Sequence, residues 1–170
     1  MRLEDRIRDV PDFPKKGIVF KDITPLLKDA AAFKYVIDIF TERYHDEGVD
    51  VVVAMEARGF IFGAPLAYNL GASFVPIRKP AKLPAEVISA QYSLEYGENS
   101  LETHTDSIMP GQKVLIIDDL LATGGTVSAT IELVEKLGGD VIGTAFLIEL
   151  TALNGRDKLQ GHQVLSLIQY

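Results

Sequence analysis

Two short runs limit what this chain can fold into more than anything else in it. Val51, Val52 and Val53 open the run VVVAM, and VLIID occupies 114–118; neither alternates between apolar and polar residues. A strand with one wet face alternates, whereas a continuous β-branched or aliphatic run suits a strand covered on both faces, as in a parallel sheet. Helical patterns separate such strands. Phe33, Val36, Ile37, Phe40 and Tyr44 follow the i, i+3, i+4, i+7 template, which predicts a helix over 30–46 with Asp29 as N-cap and Gly48 as its stop. FIFGAPLAYNL predicts a small-residue helix ended by Gly71, and SFVPIR (73–78) a strand. Beyond VLIID the chain runs into a helix with Val127, Ile131, Val134 and Leu137 on one face, closed by Gly138 and Gly139. VIGTAFLIEL (141–150) and QVLSLIQ (163–169) predict the last strands. Strands alternating with helices predict an α/β fold with a mostly parallel twisted sheet flanked by helices. With 170 residues, one domain over 1–170 is expected.

Other segments are less regular. Leu3, Ile7 and Val10 have helical spacing and predict a short N-terminal helix ended by Pro11 and Pro14. Residues 11–29 are rich in Pro, Gly and basic residues around the apolar kernel Ile18–Phe20, which suits a segment that packs over something. KPAKLPAEVISA (79–90) has two prolines and no period, so a loop is expected. QYSLEY (91–96) and NSLETHT (99–105) predict a two-stranded ribbon.

Charge narrows the function classes. Seventeen Lys and Arg against 24 Asp and Glu leave a formal charge of −7. That argues against a general binder of nucleic acid or anionic membrane, both of which need a basic field. There is no Cys, hence no thiolate chemistry or zinc–thiolate site. His45, His104 and His162 lack metal-ligand spacing. No apolar run approaches 18 residues and the N-terminus is charged, so neither a membrane span nor a signal peptide is expected, and the default compartment is the cytoplasm.

The chemistry concentrates in VLIIDDLLATGGT (114–126). A buried strand delivers Asp118 and Asp119 to the sheet edge. Ala122, Thr123, Gly124, Gly125 and Thr126 then turn at once into a helix. Small residues let backbone amides close on an anion, and the helix start adds unpaired N–H groups and a positive dipole end. Two glycines at such a junction also serve tight packing. What favours a ligand is the adjoining acidic pair: carboxylates repel phosphate but accept hydrogen bonds from sugar hydroxyls, or bind hydrated Mg2+. A pentose 5-phosphate satisfies both halves. Neither GxxxxGK[ST] nor GxGxxG is present.

DDLLATGGT resembles the phosphoribosyl pyrophosphate signature of the type I phosphoribosyltransferases. PDFPKKGIVFKDITPLL (11–27), EARGFIFG (56–63), IRKPAKLP (77–84), YSLEYG (92–97) and IELTALNGRDKL (148–159) narrow the resemblance to the adenine-using branch and extend it over nearly the whole chain. It implies a type I phosphoribosyltransferase fold with a small N-terminal hood over 1–28 and a flexible loop and β-arm over 79–106. It also implies a reaction of adenine with phosphoribosyl pyrophosphate, giving AMP and pyrophosphate with Mg2+ held mainly by substrate, in a homodimer. Carried over by position, Ala122 to Thr126 hold the 5-phosphate and Asp118 and Asp119 the ribose hydroxyls. Arg58 meets the pyrophosphate, with Arg78, Lys79 and Lys82 as a cationic cluster. Val19, Phe20, Lys21 and Leu150 contact adenine; members commonly have Arg where Lys21 stands, so a backbone role is favoured there. Glu95 is the candidate for handling the adenine proton, and Tyr96 shares its arm. The bond Glu56–Ala57 is expected to be cis. Two other readings stay open: a transferase for hypoxanthine or xanthine, and a non-catalytic regulator that binds phosphoribosyl pyrophosphate. The latter would normally carry a basic DNA-binding module, for which neither length nor charge remains.

Overall fold

The computed structural model describes residues 1–93 and 98–170. They divide into two compact units, Met1–Phe40 and Thr41–Tyr170, with the division inside a helix.

In the first unit the expected N-terminal helix is absent. A 3-10 turn spans Glu4–Arg6, and Arg8–Pro11 forms strand β1, paired antiparallel with β2 at Val19–Asp22. Helical spacing over two turns offers too little to nucleate a helix. The pairing instead sets opposite charges across the ladder, with Lys21 Nζ 2.7 Å from Asp9 Oδ1 and Arg8 Nη2 2.6 Å from Asp22 Oδ2. The short helix α1 (Thr24–Lys28) starts where Asp22 Oδ1 accepts the Thr24 N–H. Its proline lies at the helix start, where a missing N–H costs nothing. Helix α2 (Ala30–Tyr44) carries the division between the units. Asp29 Oδ1 caps it by accepting the Ala31 and Ala32 N–H groups, as expected of that residue. Val36, Ile37, Phe40 and Tyr44 are buried along one stripe.

The second unit is built on a parallel sheet, β4-β3-β7-β8-β9, from β3 (Val51–Met55), β4 (Ser73–Ile77), β7 (Lys113–Leu121), β8 (Asp140–Glu149) and β9 (Val164–Gln169). Each neighbouring pair is parallel. All five residues of β3 are buried, which is why its sequence does not alternate. Val51, Val53 and Met55 join Val114, Ile116 and Phe146 in a cluster with Val127 and Val134 of α4 (Gly125–Lys136). The alternate residues Ala54 and Ile117 face α3 (Arg58–Leu70), which comes close because position 63 has no side chain: a Cβ there would stand 2.7 Å from that of Ala54. Gly71 ends α3 in the left-handed conformation, as the sequence predicts.

Strand β5 (Val87–Ser93) pairs antiparallel with β6 (Glu98–His104). The expected loop over 79–90 thus stops at residue 86. Its prolines interrupt only the first part, and VISA pairs along the ladder. A backbone bridge between Arg78 and Glu102 ties this ribbon to the end of β4. Among the described residues, no helix is long and apolar enough to cross a membrane.

Candidate active site

Strand order reverses between β3 and β7: β4 lies outward on one side, β8 and β9 on the other. Open parallel sheets leave a crevice at such a switch point, beyond the carboxyl ends of the strands. Arg58 arrives there from the β3 side, and Asp118, Asp119 and Ala122–Thr126 from β7. These residues line a hollow of about 180 Å³. An adjoining hollow of about 380 Å³ shares Arg58, Asp118, Asp119 and Thr126, and adds Lys79, Tyr92 and Leu101.

The loop after β7 is shaped by Gly124, which is left-handed at φ +82°, directly before α4. Among the described residues no side chain caps α4, and its first turn-closing bond runs from the Ser128 N–H to the Gly124 carbonyl. The amides of the first turn are thus left for an anion.

The two aspartates differ. Asp119 is buried, and its Oδ2 accepts from Arg58 Nε at 2.5 Å. Asp118 Oδ1 accepts the Asp119 N–H. Burial, then the charge of Asp119, pushes the Asp118 carboxyl well above the usual carboxylate range. A carboxyl raised on folding lowers stability as pH climbs from its unfolded to its folded pKa, and the full penalty persists above. Asp118→Asn is therefore expected to raise Tm at pH 8. The gain over wild type, followed by calorimetry, should shrink towards acid pH.

The cationic cluster is partly committed. Arg78 donates to Glu56 Oε2 through Nε and Nη2, and its Nη1 to the Lys82 carbonyl, while Glu56 Oε1 accepts the Lys79 N–H. Burial alone would raise the Glu56 carboxyl, but the Lys79 N–H and the Arg78 guanidinium hold it below its ordinary value. Glu56 therefore orders the loop that carries the exposed Lys79 and Lys82. The peptide bond Glu56–Ala57 is cis, as expected.

Leu150 lies beside the phosphate loop, with its N–H bonded to the Leu121 carbonyl at the end of β7. Val19, Phe20 and Lys21 belong to the first unit, where the Phe13 and Phe20 rings meet edge to face with centroids 5.3 Å apart. Glu95 and Tyr96 lie outside the described residues. The sequence reading missed Tyr92 and Gly155, whose backbone touches the loop. Tyr92 stands in YSLEYG and Gly155 in IELTALNGRDKL, segments whose local pattern carries no sign of these contacts.

An amide cradle and paired carboxylates meet at the switch point of a parallel sheet, in an α/β protein. The model of the phosphoribosyl transferase domain matches residues 23–164. The adenine phosphoribosyltransferase of Halothermothrix orenii is 59% identical over 169 residues, covering 99% of both chains. The crystal structure of the enzyme of that name from Thermoanaerobacter pseudethanolicus superposes with a TM-score of 0.96 at 58% identity, covering 99% of this chain and 98% of the other. That from Saccharomyces cerevisiae, complexed with an imino-altritol bisphosphate and adenine, gives 0.92 at 39% identity over 97% and 96%. The chain belongs to the phosphoribosyltransferase family, in its adenine phosphoribosyltransferase branch.

Proposed function

We propose that this protein transfers the 5-phosphoribosyl group from phosphoribosyl pyrophosphate to adenine, giving AMP and pyrophosphate, in purine salvage. The observation that carries the reading is the cradle at Ala122–Thr126 next to Asp118 and Asp119, with Arg58 across the same hollow. The relatives' names supply the base; the S. cerevisiae structure contains adenine.

In this reading the cradle amides and the Thr123 and Thr126 hydroxyls hold the 5-phosphate. Asp118 and Asp119 accept hydrogen bonds from the ribose hydroxyls. The bond from the anomeric carbon to pyrophosphate breaks as the bond to N9 of adenine forms. Negative charge grows on the leaving group, where Arg58, Lys79 and Lys82 stabilise it. Arg78, engaged with Glu56, orders the loop bearing those lysines. Val19, Phe20 and Lys21 read the base with their backbone and the Phe20 ring, and Leu150 packs on it. Glu95 handles the proton at N7 or N9, and the arm bearing Tyr96 excludes water.

Among the described residues, no three His, Asp or Glu side chains converge as a metal cage. Two adjacent carboxylates fit a hydrated Mg2+ shared with the substrate. Asp118 and Asp119 would hold it, and it would supply charge neutralisation at the pyrophosphate. A cytoplasmic homodimer completes the reading.

The test is pyrophosphate release from protein, phosphoribosyl pyrophosphate and Mg2+ with adenine, hypoxanthine or xanthine. Adenine-dependent release is expected. Release with another purine alone makes the protein a different salvage transferase, and binding without release makes it a regulator.

A further inference from the structure

The phosphate loop rests on backbone rather than on side chains. A Cβ on Gly124 would stand 2.5 Å from the Gly155 carbonyl oxygen. A Cβ on Gly155 would collide with the Ala122 carbonyl oxygen and stand 2.9 Å from Leu121 Cδ1. The 3-10 segment Gly155–Leu159 is therefore the rear wall of the cradle. What holds that wall lies one residue further on. Arg156 forks onto Glu149, the last residue of β8, with Nε 2.6 Å from Oε1 and Nη2 2.7 Å from Oε2. Glu149 Oε2 also accepts from Ser166 Oγ at 2.5 Å and Gln169 Nε2 at 3.4 Å, both on β9. Arg156 Nη1 donates to the Val164 carbonyl and Nη2 to Ser166 Oγ. The Glu149 side chain is only 5% exposed.

We propose that Glu149 and Arg156 are positioning residues for the 5-phosphate: their fork roots the Gly155 wall on β8 and β9 and thereby sets the shape of the loop at Ala122–Thr126. The inference rests on the proposed reading of that loop. Two observations separate positioning from plain stabilisation. Neither residue lines the hollows, so their link to the ligand runs through Gly155. With the Arg156 side chain 43% exposed, solvent also screens the pair and leaves it a modest stabiliser. What it adds is direction. A planar fork on a carboxylate fixes the orientation of the chain that bears it, and a lysine keeps the charge but loses the fork.

The test varies phosphoribosyl pyrophosphate and adenine separately for wild type, Arg156→Ala, Arg156→Lys and Glu149→Gln, below each melting onset. It also titrates ribose 5-phosphate calorimetrically. Because a displacement of about 1 Å in a binding group costs up to about a hundredfold, Arg156→Ala is expected to raise KM for phosphoribosyl pyrophosphate about tenfold or more. Ribose 5-phosphate should weaken in parallel, with kcat and the adenine KM nearly unchanged and Arg156→Lys intermediate. If Arg156→Ala fails to fold, Glu149→Gln, which keeps the shape, carries the same expectation. A lowered Tm with an unchanged KM for phosphoribosyl pyrophosphate overturns the inference, as does an equal loss in every kinetic constant. A wild type that neither binds ribose 5-phosphate nor turns over overturns the functional reading, and the inference with it.

Discussion

Gly124→Ala is expected to lower kcat/KM for phosphoribosyl pyrophosphate by about a hundredfold while the fold persists. Two costs fall on one methyl group. At φ +82° a Cβ is strained by about 1–2 kcal/mol. It would also stand 2.5 Å from the Gly155 carbonyl oxygen, a backbone atom without a rotamer to yield. Overpacking of this kind costs typically about 1–3 kcal/mol. The loop can escape only by moving, which spoils the amides it presents. Steady-state kinetics with both substrates varied, beside a circular-dichroism melt, checks this. The loss should sit in the phosphoribosyl pyrophosphate terms and leave the adenine KM nearly unchanged.

Arg58→Ala is expected to reduce kcat by about 100- to 1,000-fold, the usual cost of removing one group aimed at developing charge. Arg58→Lys should recover part of this, since it keeps the charge without the planar guanidinium. The stability change should be small beside the kinetic one. Breaking a fully buried ion pair costs about 3–5 kcal/mol. Here the Arg58 side chain is 48% exposed, so solvent screens much of the pair with Asp119. Single-turnover measurement of AMP formation separates the chemical step from binding. A kcat within threefold of wild type would take Arg58 out of the reaction.

The parts legible in the sequence are those whose causes are local. VVVAM and VLIID announced a sheet covered on both faces because each position must be apolar there. Phe33 to Tyr44 announced α2 by spacing. The phosphate loop was legible because its strand, acids, glycines and helix start follow one another without a gap. Leu3, Ile7 and Val10 misled, since three apolar residues at helical spacing also suit a short turn that leads into a strand. There the chain forms the β1–β2 ladder instead, which sets Arg8 and Asp9 opposite Asp22 and Lys21. The wall behind the loop was hidden for a related reason. Gly155, Arg156 and Glu149 act through contacts with Ala122, Gly124 and Ser166, which no local pattern reports. The Arg78–Glu56 pair was hidden likewise, since its two residues lie 22 positions apart.

The most direct measurement is the site of the AMP phosphate. In a crystal grown with AMP, the phosphate is expected within hydrogen-bond reach of the Thr123–Thr126 amides, with the ribose hydroxyls towards Asp118 and Asp119. A fully occupied AMP whose phosphate lies elsewhere, with that loop filled only by water, would contradict the account.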